Sequence, residues 1–272
     1  MTTGEYRFPY RVGDKYYLLD VSDIHSGHAD FAEKRLVSDL ERYVDDRTII
    51  FGNGDWFDSI TVKDKRYTKQ SDGTHTPAII NDSVDWVASL FHKYRKQIIG
   101  LGIGNHELKY LDNCNTDPMR ILCDKLSDDS HIVRQLGYSS FLRFRFEHTG
   151  GGRVLTLTAY QSHGAGGGGT TDGYSTTKYG KKKAYYDADI LFFGHDHDLE
   201  FKELDPVIHM TNAMKVVESR RWLVLTGGYL RTLNTGIYPN YAEAKCLPPK
   251  PIGCKRVEVE LTAHGIELRD AS

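Results

Sequence analysis

The chain has 272 residues, a formal net charge of -2, 26% charged residues and four cysteines. It is long enough to bury a substantial core, and its balanced charge gives no global field for a nucleic acid or a membrane surface. No stretch approaches the roughly 18 apolar residues of a membrane span, and the start Met1-Thr2-Thr3-Gly4-Glu5 lacks the charged and apolar regions of a signal peptide.

Residues 1–14 read as a polar lead-in with at most one strand. The run 18–24 suits a buried strand, and 29–44 carries Leu36, Val37, Leu40, Tyr43 and Val44 at helical spacing. A second buried run, 49–54, is followed by a charged surface excursion over 61–76. Thr76 and Pro77 form a helix start, with Ile80, Val84, Val87, Phe91 and Tyr94 as the buried stripe. The run 98–104 is a third strand. Asp117-Pro118 repeats the helix-start signal ahead of Met119, Leu122 and Leu126. Segments 138–146 and 154–159 read as a hairpin around Gly150-Gly151-Gly152. A glycine-rich loop over 164–169 precedes Lys178, Lys181, Lys182 and Lys183, which are interleaved with Tyr174, Tyr179, Tyr185 and Tyr186. Short strands at 190–193, 222–226 and 257–261 complete the pattern. Helices alternate with strands early and hairpins follow later, so the expected class is α/β with a mixed sheet or two packed sheets in one domain over 1–272. The cysteines Cys114, Cys123, Cys246 and Cys254 form no CxxC pair, which favours free thiols in a reducing compartment.

Five apolar runs end in metal-ligand residue types: Asp23 and His25, Asp55, Asn105 and His106, His163, and His195 with His197. Functional groups of open α/β sheets gather in loops at the carboxyl ends of strands. Aspartate oxygens, an amide oxygen and imidazoles suit two divalent ions held close together. Asp23 and His25, two apart in a tight loop, can reach one ion. His195 and His197 can face different ions. Asp55 follows Gly52 and Gly54, which allow a sharp turn and close approach. Any one pair is weak evidence; the ordered set of five is specific.

The order Asp23-Ile24-His25, Gly54-Asp55-Trp56-Phe57-Asp58, Gly104-Asn105-His106-Glu107, His163 and Gly194-His195-Asp196-His197 resembles the calcineurin-like metallophosphoesterases, with no motif missing. The resemblance implies a four-layer α/β/β/α sandwich of two mixed sheets flanked by helices. It implies one ion held by Asp23, His25, Asp55 and His197, and another by Asp55, Asn105, His163 and His195. It further implies that His106 assists the leaving oxygen of a phosphate ester, that Asp58 orients His106, that Glu107 supports the site without binding metal, and that the nucleophile is a metal-bridging water. The segment 227–254 is similar to tails of bacteriophage and prophage members. Mn²⁺ is the first choice of metal, with Fe, Zn²⁺, Co²⁺ and Ni²⁺ accepted by the same donors. Phosphodiesters are the favoured substrates; a DNA or RNA nuclease and a non-catalytic scaffold are the alternatives. Lys178, Arg231 and Tyr174 are candidate substrate contacts, on a nucleotide or nucleic acid. A cytoplasmic setting is expected, that of the host if the chain is phage-encoded, with no membrane partner.

Overall fold

The structure is a computed structural model that describes residues 1–59, 79–167, 169, 171–233, 241–244 and 246–272. Among these residues the strands are β1 (Thr2–Tyr10), β2 (Lys15–Asp20), β3 (Thr48–Asn53), β4 (Ile98–Gly102), β5 (Arg134–Gly137), β6 (Ser139–His148), β7 (Val154–Ser162), β8 (Ile190–Phe193), β9 (Leu199–Met210), β10 (Val216–Thr226), β11 (Lys255–Leu261) and β12 (Ile266–Asp270). The helices are α1 (Glu33–Tyr43), α2 (Ile79–His92), α3 (Asn105–Cys114), α4 (Pro118–Leu126), α5 (Tyr174–Gly180) and α6 (Tyr241–Ala244).

Two six-stranded mixed sheets form, in the orders β12-β11-β2-β3-β4-β5 and β1-β6-β7-β8-β10-β9. β2 through β5 pair in parallel, while β11 runs antiparallel to both β2 and β12. A strand covered on both faces must be apolar on both, and β3 is buried at every position. Its Ile49 and Phe51 pack between the sheets with Leu18, Phe144, Phe146 and Phe192. Ile50 faces the other way, with Leu19 and Leu101, against Leu36 and Leu40 of α1, Val87 and Phe91 of α2, and Met119 and Leu122 of α4. The outer face of the second sheet presents Leu191, Phe193, Leu223 and Leu225 to Tyr179 of α5. The layers are therefore α/β/β/α, as the resemblance implied, with a thin fourth layer.

The start of α4 is as read: Asp117 accepts a hydrogen bond from the Arg120 amide at 3.0 Å, and Pro118 occupies the first turn. The β6–β7 hairpin also forms. The one strand allowed for in the lead-in forms as β1, parallel to β6 along its whole length. Two features differ from expectation. The helix expected over 29–44 starts only at Glu33, because 26–32 is held in bridges and turns to Phe57 and Leu230. The long β9–β10 hairpin was read only at its buried end: its outer half carries Ile208, Met210, Met214 and Val216 exposed, so no buried-strand signature marks it. The excursion over 61–76 and the helix start at Thr76-Pro77 lie outside the described residues. All four thiols are free.

Candidate metal centre

The chemistry-bearing loops leave the carboxyl ends of β2, β3 and β4 in one sheet and of β7 and β8 in the other. The first two are woven together by backbone hydrogen bonds: Asp23 N–H to Gly54 O at 2.9 Å, His25 N–H to Asp55 O at 3.0 Å, and Ser26 N–H to Trp56 O at 2.9 Å. The turn after β10 closes on them through Tyr229 N–H to Asp23 O at 2.9 Å.

Backbone strain concentrates here. Nine non-glycine described residues have positive φ, and five of them are Asp23, His25, Asp55, His195 and His197, at 50°, 51°, 52°, 71° and 56°. Such conformations each cost on the order of 1–3 kcal/mol and persist only where surrounding structure enforces them. Two glycines let the loops approach. A Cβ on Gly104 would collide with the Asp55 carboxylate, and one on Gly54, at φ +99°, with the Gly104 backbone.

Asp55 is the hub. Its Oδ1 accepts the His106 backbone N–H at 3.0 Å, at the amino end of α3, where the helix dipole favours an anion. Its Oδ2 lies 3.2 Å from His163 Nε2, 3.8 Å from His25 Nε2 and 3.9 Å from His106 Nε2. His163 Nε2 is also 3.0 Å from Asn105 Oδ1 and 3.3 Å from His195 Nδ1. On the other side, His197 Nε2 is 3.4 Å from Asp23 Oδ1, and Asp23 accepts the His195 backbone N–H at 3.1 Å. Among the described residues, three groups have ligand atoms all within 4.8 Å of one another: Asp23, His25 and His197; Asp55, His163 and His195; and His25, Asp55 and His106.

Three imidazoles are anchored by one nitrogen and turn the other toward the cluster. His163 Nδ1 bonds the Asn53 carbonyl at 2.8 Å, His195 Nε2 bonds the Gly166 carbonyl at 2.7 Å, and His106 Nδ1 bonds the Asp58 carbonyl. Such contacts fix tautomer and ring orientation at metal sites. His25 differs: both ring nitrogens are buried without a hydrogen-bond partner. A buried imidazole with nothing to bond fits a metal ligand, and the aspartate, amide and imidazole donors around it suit a divalent cation.

The charges are mutually dependent. Burial, reinforced by Asp55, pushes Asp23 up to about 7. Burial lowers His197 to about 4 and sends His25 well below its ordinary value, with His106 adding to the latter. Burial alone would also lower His163, but Asp55 overrides it and raises that imidazole to about 10. Asp55 is buried too, yet His163 and His106 hold it well below the carboxylate range.

The cluster gathers Asp23, His25, Asp55, Asn105, His106, His163, His195 and His197. Asp58 lies beside His106: its carbonyl takes His106 Nδ1, and its Oδ1 sits 3.7 Å from that nitrogen and 3.9 Å from His25 Nδ1. Glu107 is a support, accepting the backbone N–H groups of Asp55, Phe57 and Gly104 at 3.0, 2.9 and 2.8 Å. His28 accepts the Asp30 amide at 2.9 Å and so has a structural bond. Lys178 lies against Asp196, Tyr174 is exposed at the start of α5, and Arg231 is exposed with its backbone N–H on Asp30 O. The sequence reading missed Asn53, which holds His163 through its carbonyl and the Ser162 carbonyl through its amide at 2.7 Å. Its only signal is a polar residue ending an otherwise apolar strand.

No family model and no curated protein matches the chain. Solved structures with a similar course include a single-site mutant of Vps29 from Entamoeba histolytica, with 11% identity, 94% of this chain and 98% of that chain covered, and a TM-score of 0.40. GAP50 of Plasmodium gives 11% identity, 95% and 84% coverage and a TM-score of 0.45. A metallophosphoesterase from Sphaerobacter thermophilus gives 12% identity, 94% and 88% coverage and a TM-score of 0.35. At these values the functional reading rests on the residues of the site itself.

Proposed function

We propose that the protein is a phosphohydrolase that uses two divalent metal ions to cleave phosphate esters, with diesters favoured. The observation that carries this reading is the position of Asp55 Oδ2, within 4 Å of the ring nitrogens of His25 and His163 and so between the two ligand groups. Asp23, His25, Asp55 and His197 would hold one ion; Asp55, Asn105, His163 and His195 the other. When bound, such a pair lowers the pKa of a water and neutralises charge that develops on the phosphoryl oxygens.

The chain's own residues do the rest. Asp55 is held in place by the α3 amide on Oδ1 and would be the ligand shared by both ions. His106 is buried, with its Nδ1 on the Asp58 carbonyl and its Nε2 3.9 Å from Asp55 Oδ2, so Nε2 is the nitrogen turned toward the cluster. There it donates a proton or hydrogen bond to the leaving oxygen. Its proximity to His25 and Asp55 also permits a ligand role, and metal content of His106→Ala separates the two. What supports diesters is charge: Lys178 and Lys250 both reach the segment that carries His195 and His197, and both are paired with its carboxylates, Asp196 and Asp198. A monoester dianion would bring one more negative charge to neutralise.

The test is hydrolysis of mono- and bis-(p-nitrophenyl) phosphate in Mn²⁺ and in EDTA, with single-stranded DNA as a third substrate. Metal-dependent turnover of the diester is expected. Turnover of the monoester alone would refute the diester preference, and cleavage of the DNA would extend the activity to nucleic acid. Two bound metals with no turnover on any ester would refute the enzymatic reading.

A further inference from the structure

The segment 195–200 alternates. His195 and His197 point into the cluster, while Asp196, Asp198 and Glu200 meet α5 and its surroundings. Lys178 Nζ donates to both oxygens of Asp196, at 3.0 and 2.9 Å. The Ser175 hydroxyl lies 2.8 Å from Asp196 Oδ2 and 2.6 Å from Asp198 Oδ2. Thr176 bonds Glu200, and Lys250 reaches Asp198 Oδ1 at 2.6 Å from the other side. The pair is well buried: the Asp196 side chain is 2% exposed and that of Lys178 19%. The ammonium also lies 4.6 Å from the centre of the Tyr179 ring. That ring stacks on Phe193 at 4.3 Å, just before the loop, and its hydroxyl fills the place a side chain on Gly164 would need, next to His163.

We propose that α5 is a brace for the two histidine loops, with Lys178 and Ser175 as positioning residues that act through Asp196 and Asp198 on His195 and His197. This rests on the metal-site reading for what the braced imidazoles do, though not for the brace itself. His195 and His197 both sit at positive φ, a conformation the loop does not hold unaided. One helix supplies three side chains to three successive acidic positions on the back of that loop. Lys178 is thereby a residue of the loop's support and not a contact for substrate. Breaking a buried pair from one side leaves an uncompensated charge, so the loop must move to rehydrate it.

The test uses the full chain, freed of metal. Lys178→Met and Ser175→Ala are compared with wild type by hydrogen–deuterium exchange over 194–200, with β3 as an internal control, and by calorimetric titration with Mn²⁺ alone. Faster exchange confined to 194–200, with Mn²⁺ affinity reduced on the order of 10-fold, is expected. The double variant Lys178→Met with Asp196→Asn should be clearly less perturbed than the sum of its parts, because the two residues act as a unit; simple additivity would overturn the pairing. Ser175→Ala removes only a hydroxyl and carries the test if Lys178→Met does not fold. Unchanged exchange over 194–200 in the folded variants overturns the brace. A raised KM with unchanged exchange and Mn²⁺ affinity also overturns it and returns Lys178 to the substrate. Faster exchange in a chain whose wild type binds neither Mn²⁺ nor Zn²⁺, Co²⁺, Ni²⁺ or Fe²⁺ in the same titration supports the brace while refuting the metal reading.

Discussion

A carboxylate that serves two cations must have one oxygen spare for both, and Asp55 meets that condition through the bond from the α3 amide to Oδ1. Asp55→Asn should therefore reduce metal content at both positions, whereas Asp23→Asn should affect chiefly one. Elemental analysis of purified variants checks this, and equal losses would contradict the shared-ligand geometry. His106→Ala should keep both metals and lose turnover by roughly 10²–10⁴-fold, the usual worth of a proton-transfer group. Loss of a metal equivalent would make His106 a ligand. At this scale the sequence was highly legible, because ligand types are few and the loops that carry them are short. Asp23, His25, Asp55, Asn105, His163, His195 and His197 all come together. What it hid were groups acting through the backbone. Asn53 holds His163 by its carbonyl, which every residue possesses, so no side-chain pattern announces it. Lys178 was visible as a cation but not as the partner of Asp196, since that pairing depends on where α5 lies.

The elements place these residues by ending where they do. β3 and β4 are buried at every position and β2 from Leu18 onward, so they read as unbroken apolar runs, and their ends were clear. α3 gave no such reading: among its residues His106 and Glu107 are the buried ones, and both serve the site rather than a hydrophobic stripe. The glycine before α3 matters more than the helix's own propensity. Gly104→Ala should drive a methyl into the Asp55 carboxylate, destabilising the fold by about 1–3 kcal/mol, as overpacking does. Metal content should fall with it. Thermal melts and elemental analysis together check this; a variant as stable as wild type with full metal content would show that the α3 amino end can shift without cost. The outer half of β9–β10 went unread for the opposite reason. Its apolar side chains face solvent, so neither burial nor alternation separates it from a loop.

Across the whole molecule the near-neutral charge of -2 leaves the site's own electrostatics in command of pH dependence. Asp23, raised from 3.8 to about 7, binds its proton more tightly when folded. Its stabilising contribution is complete below about 3.8 and disappears as pH rises through 7. His163, raised from 6.5 to about 10, likewise contributes fully below 6.5 and fades as pH climbs to 10. His197, lowered from 6.5 to about 4, acts the other way: it costs stability as pH falls from 6.5 to 4, since only the unfolded chain then takes the proton. The metal-free protein should thus lose stability steadily above pH 6.5. Metal must displace the protons on Asp23 and His163, so its binding releases protons and strengthens as pH rises. The increase in melting temperature caused by Mn²⁺ should accordingly be larger near pH 8 than near pH 6, with proton release measurable by calorimetry in buffers of different ionisation enthalpy. A Mn²⁺ effect that is flat across this range, with no protons released, would mean that the cation binds away from Asp23 and His163. In that case the strained turns at Asp23, Asp55 and His195 would need some other ligand to account for them.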